Sequence, residues 1–285
     1  MKNSFLDHPE FLERDFRANK PPNCGVPYNN NITVMKHELL LSPERVAGKR
    51  ILDIGSFIGQ TADWCLANGA AHVTGVEISK EFCATAQELL GKYYNSNQYT
   101  IINQGLDEFF NSNTERFDLV FCWGVLFGHH DHVWLLNHLA QRGDHVIVES
   151  RHPKWMWNTN QDIVPHDFWY DLEYTIPYTE WQTGDMTMLV AVNGSAYCTA
   201  ANSSIAAIKL IMEMAGFRAD LSVYEKMKAA WPDNFGMIRD PKKIGRFVIE
   251  FFKDSGVRKH ALTRDIFQDS NVWNENYVDW MANKK

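Results

Sequence analysis

The chain has 285 residues, of which 45% are hydrophobic, and a formal net charge of −7. This length and apolar content suffice for one full α/β domain with an insertion. An acidic chain without a dense basic cluster argues against a nucleic-acid partner, because nucleic-acid affinity depends largely on phosphate neutralisation. No apolar run in the sequence approaches the roughly 18 residues of a membrane span, and the N-terminus lacks the apolar core of a signal peptide. We therefore expect a cytoplasmic protein without a membrane partner.

The first predicted strand follows an N-terminal cap segment, residues 1–47, in which turn signals dominate. An apolar run at 50–54 predicts a buried strand, and a helical pattern follows over 60–69. Between them, Gly55 and Gly59 frame a tight turn that side chains would obstruct. At the edge of an open α/β sheet, such a turn presents backbone N–H groups and a helix N-terminus to a ligand.

Apolar segments and helical patterns alternate along the rest of the chain. We predict further strands at 72–77, 99–103, 117–122, 145–149, 217–224 and 245–252. We predict further helices at 80–94, 106–110, 133–139 and 203–215. This alternation indicates an α/β fold with a doubly wound sheet.

Two acidic residues indicate what binds at the glycine turn. In open α/β sheets, ligands lie outside the carboxyl ends of the strands. The strand at 72–77 ends in Glu77, where a carboxylate accepts both hydroxyls of a ribose. Asp53 precedes the glycine turn, and an acid there suits a cationic group better than a diphosphate. The pair indicates a nucleoside cofactor.

The segment Asp53-Ile54-Gly55-Ser56-Phe57-Ile58-Gly59, followed by Glu77, resembles the first two motifs of class I S-adenosylmethionine-dependent methyltransferases. The resemblance implies a Rossmann-like, mostly parallel seven-stranded sheet with an antiparallel edge pair, and S-adenosyl-L-methionine as cofactor. Phe57 replaces the middle glycine, so we expect its side chain to point away from the methionine part of the cofactor. The domain would span 48–252, before a C-terminal tail at 253–285. The residues assigned to the cofactor are Asp53, Gly55, Ser56, Gly59, Glu77, Leu106, Asp107 and Trp123.

Two of these assignments depend on the resemblance alone. Leu106 and Asp107 correspond to the place where the class binds adenine, although an acid favoured by the helix dipole also explains Asp107. The segment 121–127 is similar to that of the tRNA wobble-uridine carboxymethyltransferase group. The basic residues that follow in that group are absent here, which weakens a tRNA interpretation.

The predicted acceptor side follows the fifth strand. An insertion at about 151–200 is long for a connection, and its aromatic residues predict an acceptor cage or the core of a lid. We assign acceptor deprotonation to His152 or His129. We expect no metal site, because His129, His130 and His132 cannot share one helical face. The residues assigned to the substrate are Arg151, Trp155, Trp157, Trp169 and Tyr170.

The predicted function is methyl transfer from S-adenosyl-L-methionine to a small-molecule acceptor, favoured by the acidic charge and the aromatic insertion. A tRNA-modifying transferase, a nicotinamide oxidoreductase and a non-catalytic cofactor-binding scaffold are the alternatives. Methylation of nitrogen, oxygen or carbon stays open. In the tail, Trp273, Tyr277 and Trp280 predict a docking helix or a homodimer contact.

Overall fold

The structure, a computed structural model, describes residues 7–15, 37, 41–129, 131–151, 179–183, 199–230 and 246–256. The strands of this part of the chain are β1 (Arg50–Ile54), β2 (His72–Glu77), β3 (Tyr99–Asn103), β4 (Leu119–Trp123), β5 (His145–Arg151), β6 (Thr179–Thr183), β7 (Thr199–Ser203), β8 (Phe217–Asp220) and β9 (Arg246–Lys253). Within these ranges, no helix has both the length and the apolar character that crossing a membrane requires.

The helices pack against the sheet, and side chains cap the N-termini of several of them, as two examples show. Ser79 Oγ accepts the Phe82 N–H at 3.3 Å at the start of the helix Lys80–Tyr93, and Asp131 Oδ1 accepts the Trp134 N–H at 2.8 Å at the start of the helix His132–Arg142. Such caps satisfy N–H groups that a helix leaves without partners. A 3-10 turn, Leu126–Gly128, follows β4. The described helices are α1 (Glu10–Glu13), α2 (Pro43–Val46), α3 (Gln60–Ala67), α4 (Lys80–Tyr93), α5 (Leu106–Ser112), α6 (His132–Arg142), α7 (Ile205–Met214) and α8 (Ser222–Ala230).

The main sheet has seven strands in the order β3-β2-β1-β4-β5-β9-β8. Strands β1 to β5 are parallel, whereas β9 runs antiparallel to both of its neighbours. The strand order reverses between β1 and β4, the position at which an open α/β sheet forms its ligand crevice. The predicted mostly parallel, seven-stranded α/β sheet is confirmed.

Helices cover both faces of the sheet, because its central strands are apolar on both sides. On one face, Ile51 and Phe121 belong to a core formed with α3 and α4. On the other, Leu52 and Val120 belong to a core formed with α5, α6 and α7. Between the two cores, β1 pairs with β2 on one side and with β4 on the other, which brings the carboxyl ends of the three strands to one edge.

The edge of the sheet differs from the prediction. The strand expected at 217–224 ends at Asp220, whose Oδ1 accepts the Ser222 N–H at 2.8 Å and starts α8. Within the predicted insertion at 151–200, the structure describes Arg151 and the strands β6 and β7. These two strands pair antiparallel to each other, and β7 extends past the insertion to Ser203. The remainder of that insertion lies outside the described residues.

Candidate functional site

The turn after β1 lies at the carboxyl edge of the sheet, beside the reversal in strand order. Gly55 and Gly59 have left-handed φ angles of +68° and +83°. A Cβ on Gly55 would lie 2.3 Å from Val125 Cγ2, so the turn packs against the chain after β4. Gly55 and Ser56 both donate their N–H to the Val76 carbonyl, at 2.8 and 3.1 Å. These contacts place the turn between β2 and β4.

Phe57, between Gly55 and Gly59, is also left-handed, with φ +52°, and no other non-glycine residue in the described ranges has a positive φ. That conformation costs a residue with a side chain about 1–2 kcal/mol. The Phe57 ring packs edge-on against Phe82 in the first turn of α4, with centroids 4.5 Å apart. An aromatic pair contributes about 0.5–1.5 kcal/mol. The ring contact therefore offsets much of the backbone strain.

Glu77 ends β2 with a carboxylate held by two backbone donors. Phe57 donates its N–H to Oε2 at 3.0 Å, and Ser79 donates its N–H to Oε1 at 2.9 Å. A carboxylate has about four acceptor positions, so each oxygen keeps one for a further donor. Glu77 is 9% exposed and can be reached from the edge of the sheet. The arrangement suits the two hydroxyls of a ribose.

Ile78, the residue after Glu77, is a candidate site residue that the sequence analysis missed. It is 45% exposed, and in the described ranges only Leu210 is another large hydrophobic residue as exposed. The Asn103 amide donates to the carbonyls of Glu77 and Ile78, at 3.0 and 2.9 Å, which fixes this backbone. An exposed apolar surface beside a ribose acceptor suits a flat heterocycle such as adenine. An isoleucine directly after a strand-ending acid was the available signal.

Leu106 and Asp107 start α5 at the neighbouring end of β3. Leu106 is half-buried and Asp107 is exposed. Gly105, which precedes them, lies beside Ile78, since a Cβ on Gly105 would be 3.8 Å from Ile78 Cδ1. The structure thus places the start of α5 near the apolar surface, and the role of Leu106 and Asp107 with adenine stays a prediction.

Asp53 and Trp123 lie buried near the ends of β1 and β4, on the sheet face covered by α3. The N-terminal segment reaches the same place. The His37 ring lies 4.9 Å from the Trp123 ring, and His37 Nε2 lies 3.3 Å from Thr61 Oγ1 in α3. His37 was missed as a candidate, because a single histidine ahead of the first strand has no diagnostic spacing.

The predicted base His129 is half-buried and follows the 3-10 turn. Its Nδ1 lies 2.9 Å from the Asp131 carbonyl oxygen and 3.1 Å from the Asp131 N. His132 has a different surrounding, with its Nδ1 2.8 Å from Ser203 Oγ. The described residues contain no cluster of three side chains that could hold a metal ion.

The carboxyl end of β5 carries a further residue that the sequence analysis missed. Glu149 is fully buried and lies in register with Trp123 of β4. An acid at the end of an apolar strand was its signal. Arg151 ends β5 in register with Arg246 of β9. The candidates that lie outside the described residues are His152, Trp155, Trp157, Trp169, Tyr170, Trp273, Tyr277 and Trp280.

Comparison with known proteins supports a methyltransferase domain. A family model described as "Methyltransferase domain" matches residues 51–142. The electron transfer flavoprotein beta subunit lysine methyltransferase of Mus musculus is 27% identical over 145 residues, which make up 49% of this chain and 53% of that protein. The chain thus spans about half the length of the curated relatives that it matches.

Solved structures share the fold. An S-adenosylmethionine dependent methyltransferase from Mesorhizobium loti aligns with a TM-score of 0.50 and 15% identity, over 79% of this chain and 99% of that chain. A structure from Listeria monocytogenes aligns with a TM-score of 0.51 and 13% identity, over 77% of this chain and 97% of that one. At these identities the likeness shows the fold alone.

These findings correct one prediction and confirm another. The mouse relative is named as a lysine methyltransferase of a protein subunit, so the predicted small-molecule partner is wrong. The resemblance that carried the cofactor assignment is confirmed by the matched family and by the sheet. Residues 51–142 therefore match a methyltransferase domain, and the described sheet has the fold of solved methyltransferases.

Proposed function

We propose that this protein transfers a methyl group from S-adenosylmethionine to a lysine side chain of another protein. The observation that carries the cofactor part is the Glu77 carboxylate, held by two backbone N–H groups between the glycine turn and the exposed Ile78. The proposed acceptor rests on the named activity of the mouse relative, which the chain matches over about half its length.

The residues at the carboxyl edge fit the cofactor. Glu77 keeps two acceptor positions for the ribose hydroxyls, and Ile78 offers an apolar surface to the adenine. Asp53, buried beside the turn, supplies negative charge for the cationic methionine part. When bound, S-adenosylmethionine supplies an activated methyl group, so the protein needs chiefly to hold the acceptor in line with it.

A lysine ammonium must lose a proton before its nitrogen can accept a methyl group. We assign this step to His129 or His152. In His129, Nδ1 contacts the backbone of Asp131, which fixes the orientation of the ring. Glu149 places a buried carboxylate near the same edge, and a carboxylate there favours an approaching cation.

The cytoplasmic location and the homodimer contact stay predictions.

Calorimetric titration with S-adenosylmethionine and S-adenosylhomocysteine tests the cofactor. We expect wild type to bind both, and Glu77→Gln to bind about 10- to 100-fold more weakly, since hydrogen bonds to a charged group contribute about 1.5–3 kcal/mol. Glu81→Gln, which changes an exposed acid four residues away, should bind like wild type. Wild type that binds neither ligand would overturn the cofactor assignment.

Transfer of an isotope-labelled methyl group tests the acceptor. We would incubate the full chain and labelled S-adenosylmethionine with a cell extract, separate protein, RNA and small molecules, and locate the label by mass spectrometry. We expect the label on lysine nitrogen in protein, and its loss when the modified lysine is replaced by arginine. Label confined to RNA or to small molecules would refute a protein acceptor and leave the cofactor assignment intact.

A further inference from the structure

We propose that Phe57 is a positioning residue for ribose recognition, and that it acts through Glu77. This inference rests on the proposed cofactor and extends it to the position where this chain departs from the glycine pattern of its family. The Phe57 side chain packs toward α4, while its backbone N–H donates to Glu77 Oε2 at 3.0 Å.

The direction of that N–H depends on the left-handed backbone at Phe57, with φ +52°. A glycine would adopt this conformation and many others with similar ease. Phenylalanine adopts it against its intrinsic preference, so a contact must hold it there. The ring contact with Phe82, at 4.5 Å between centroids, supplies that restraint. The aromatic pair therefore sets where the backbone donor points.

A second restraint acts on the other oxygen of Glu77. Ser79 donates its N–H to Oε1 at 2.9 Å, and Ser79 Oγ accepts the N–H of Phe82 at 3.3 Å. Phe82 thus contacts both residues that donate to Glu77. Its backbone N–H donates to Ser79 Oγ, and its ring packs against Phe57. A carboxylate held at both oxygens is ordered before the ribose arrives, which reduces the entropic cost of binding.

A role in filling space makes a different prediction from a role in positioning. A side chain that only packs the turn against α4 would, when removed, weaken every ligand of the site by the same factor. A residue that positions Glu77 would, when removed, weaken ligands in proportion to the ribose hydroxyls that they carry. The ratio of affinities between ribose and deoxyribose ligands separates the two roles.

The experiment compares S-adenosylhomocysteine with its 2′-deoxy and 3′-deoxy analogues by calorimetry. We expect wild type to prefer the ribose ligand by about 10-fold or more, as for hydrogen bonds to a charged acceptor. Phe57→Gly should weaken the ribose ligand about 5- to 10-fold and the deoxy ligands, which each keep one hydroxyl, about 2- to 3-fold. Phe57→Tyr, which keeps the ring, should retain the wild-type ratio.

Phe82 provides the matched test of the route. Phe82→Leu keeps apolar volume and removes the ring, so it should lower the ribose preference as Phe57→Gly does, and the double variant should lose little more. Thermal unfolding checks that each variant is folded. If Phe57→Gly does not fold, Phe82→Leu alone tests the positioning role. Equal weakening of all three ligands would overturn the positioning role. Wild type that binds S-adenosylhomocysteine without ribose preference would overturn it too, with the cofactor assignment retained.

Discussion

His8 Nδ1 lies 2.6 Å from Asp63 Oδ1, although 55 residues separate them in the sequence. Asp63 is fully buried in α3 and also accepts the Tyr94 hydroxyl at 2.8 Å. The His8 ring stacks on Tyr93 with centroids 3.6 Å apart. Residues 7–15 are therefore docked on the helix that follows the glycine turn, by a polar contact beneath the surface.

Asp63→Ala should destabilise the protein by about 2–4 kcal/mol, because it leaves the half-buried His8 and Tyr94 side chains without their acceptor. Urea unfolding measures the change. The matched control is Glu88→Ala, which removes the exposed pair of Glu88 with Arg14, whose side chains are 50% and 44% exposed. An exposed ion pair contributes about 0–1 kcal/mol. If both variants lose a similar free energy of unfolding, the contacts of Asp63 contribute no more than an exposed ion pair.

Gly55→Ala should cost about 2–5 kcal/mol of unfolding free energy, from left-handed strain and overpacking together. Its Cβ would lie 2.3 Å from Val125 Cγ2. Gly48→Ala is the control, since Gly48 has a similar φ of +69° and nothing within 4 Å of its Cβ position. It should cost only the strain, about 1–2 kcal/mol. Adding Val125→Ala to Gly55→Ala should recover part of the loss, and no recovery would refute the clash.

Ile78→Ser should weaken S-adenosylhomocysteine binding about 5- to 10-fold, because roughly 50 Å² of apolar contact contributes about 25 cal/mol per Å². Leu210→Ser is the control, since Leu210 on α7 is also 45% exposed. It should leave the dissociation constant unchanged. The idea of an adenine surface at Ile78 fails if calorimetry finds the same affinity for the two variants.

Stability should fall below neutral pH, in part because of His138. Burial lowers the pKa of His138, and the charge of Arg142 adds to this. The unfolded chain therefore takes up this proton first, so stability is lost as pH falls from about 6.5 toward the lower folded pKa. His138→Phe keeps an aromatic ring against Phe110, whose centroid is 5.0 Å away, and removes the titration.

Urea unfolding of wild type and His138→Phe at several pH values between about 7.5 and 5.5 measures this contribution. We expect a shallower loss of unfolding free energy in the variant. Parallel curves would assign the acid sensitivity to other groups. Asp144, whose pKa is lowered chiefly by its hydrogen bond with Lys253, contributes only at more acidic pH.

Local patterns located the first half of the sheet from the sequence. The predicted strands at 50–54, 72–77 and 99–103 have the observed bounds, because each is an apolar run closed by a glycine, a charged or a polar residue. The same reasoning extended β8 through Val223 and Tyr224. These residues fit a strand or a helix equally well, and the Asp220 cap decides for a helix.

The site was predicted less completely than the sheet. Glu77 and the glycines follow from spacing, since the turn and the second strand form one local unit. The contacts of His8 and His37 join distant parts of the chain, so no local sequence pattern predicts them. Ile78 is an apolar residue that is exposed, and Glu149 is an acidic residue that is fully buried, so neither follows the usual relation between residue type and burial.

The position of β9 in the sheet determines what happens to a chain that is truncated before this strand. β9 pairs with β5 on one side and with β8 on the other, and in the described sheet β8 has no other neighbour. Until the chain is complete to Lys253, β5 therefore presents an open edge that includes Val146, Ile147 and Val148. Open apolar edges pair readily with other chains. A chain cut before β9 will aggregate rather than yield a smaller enzyme, even though the matched methyltransferase segment would be intact.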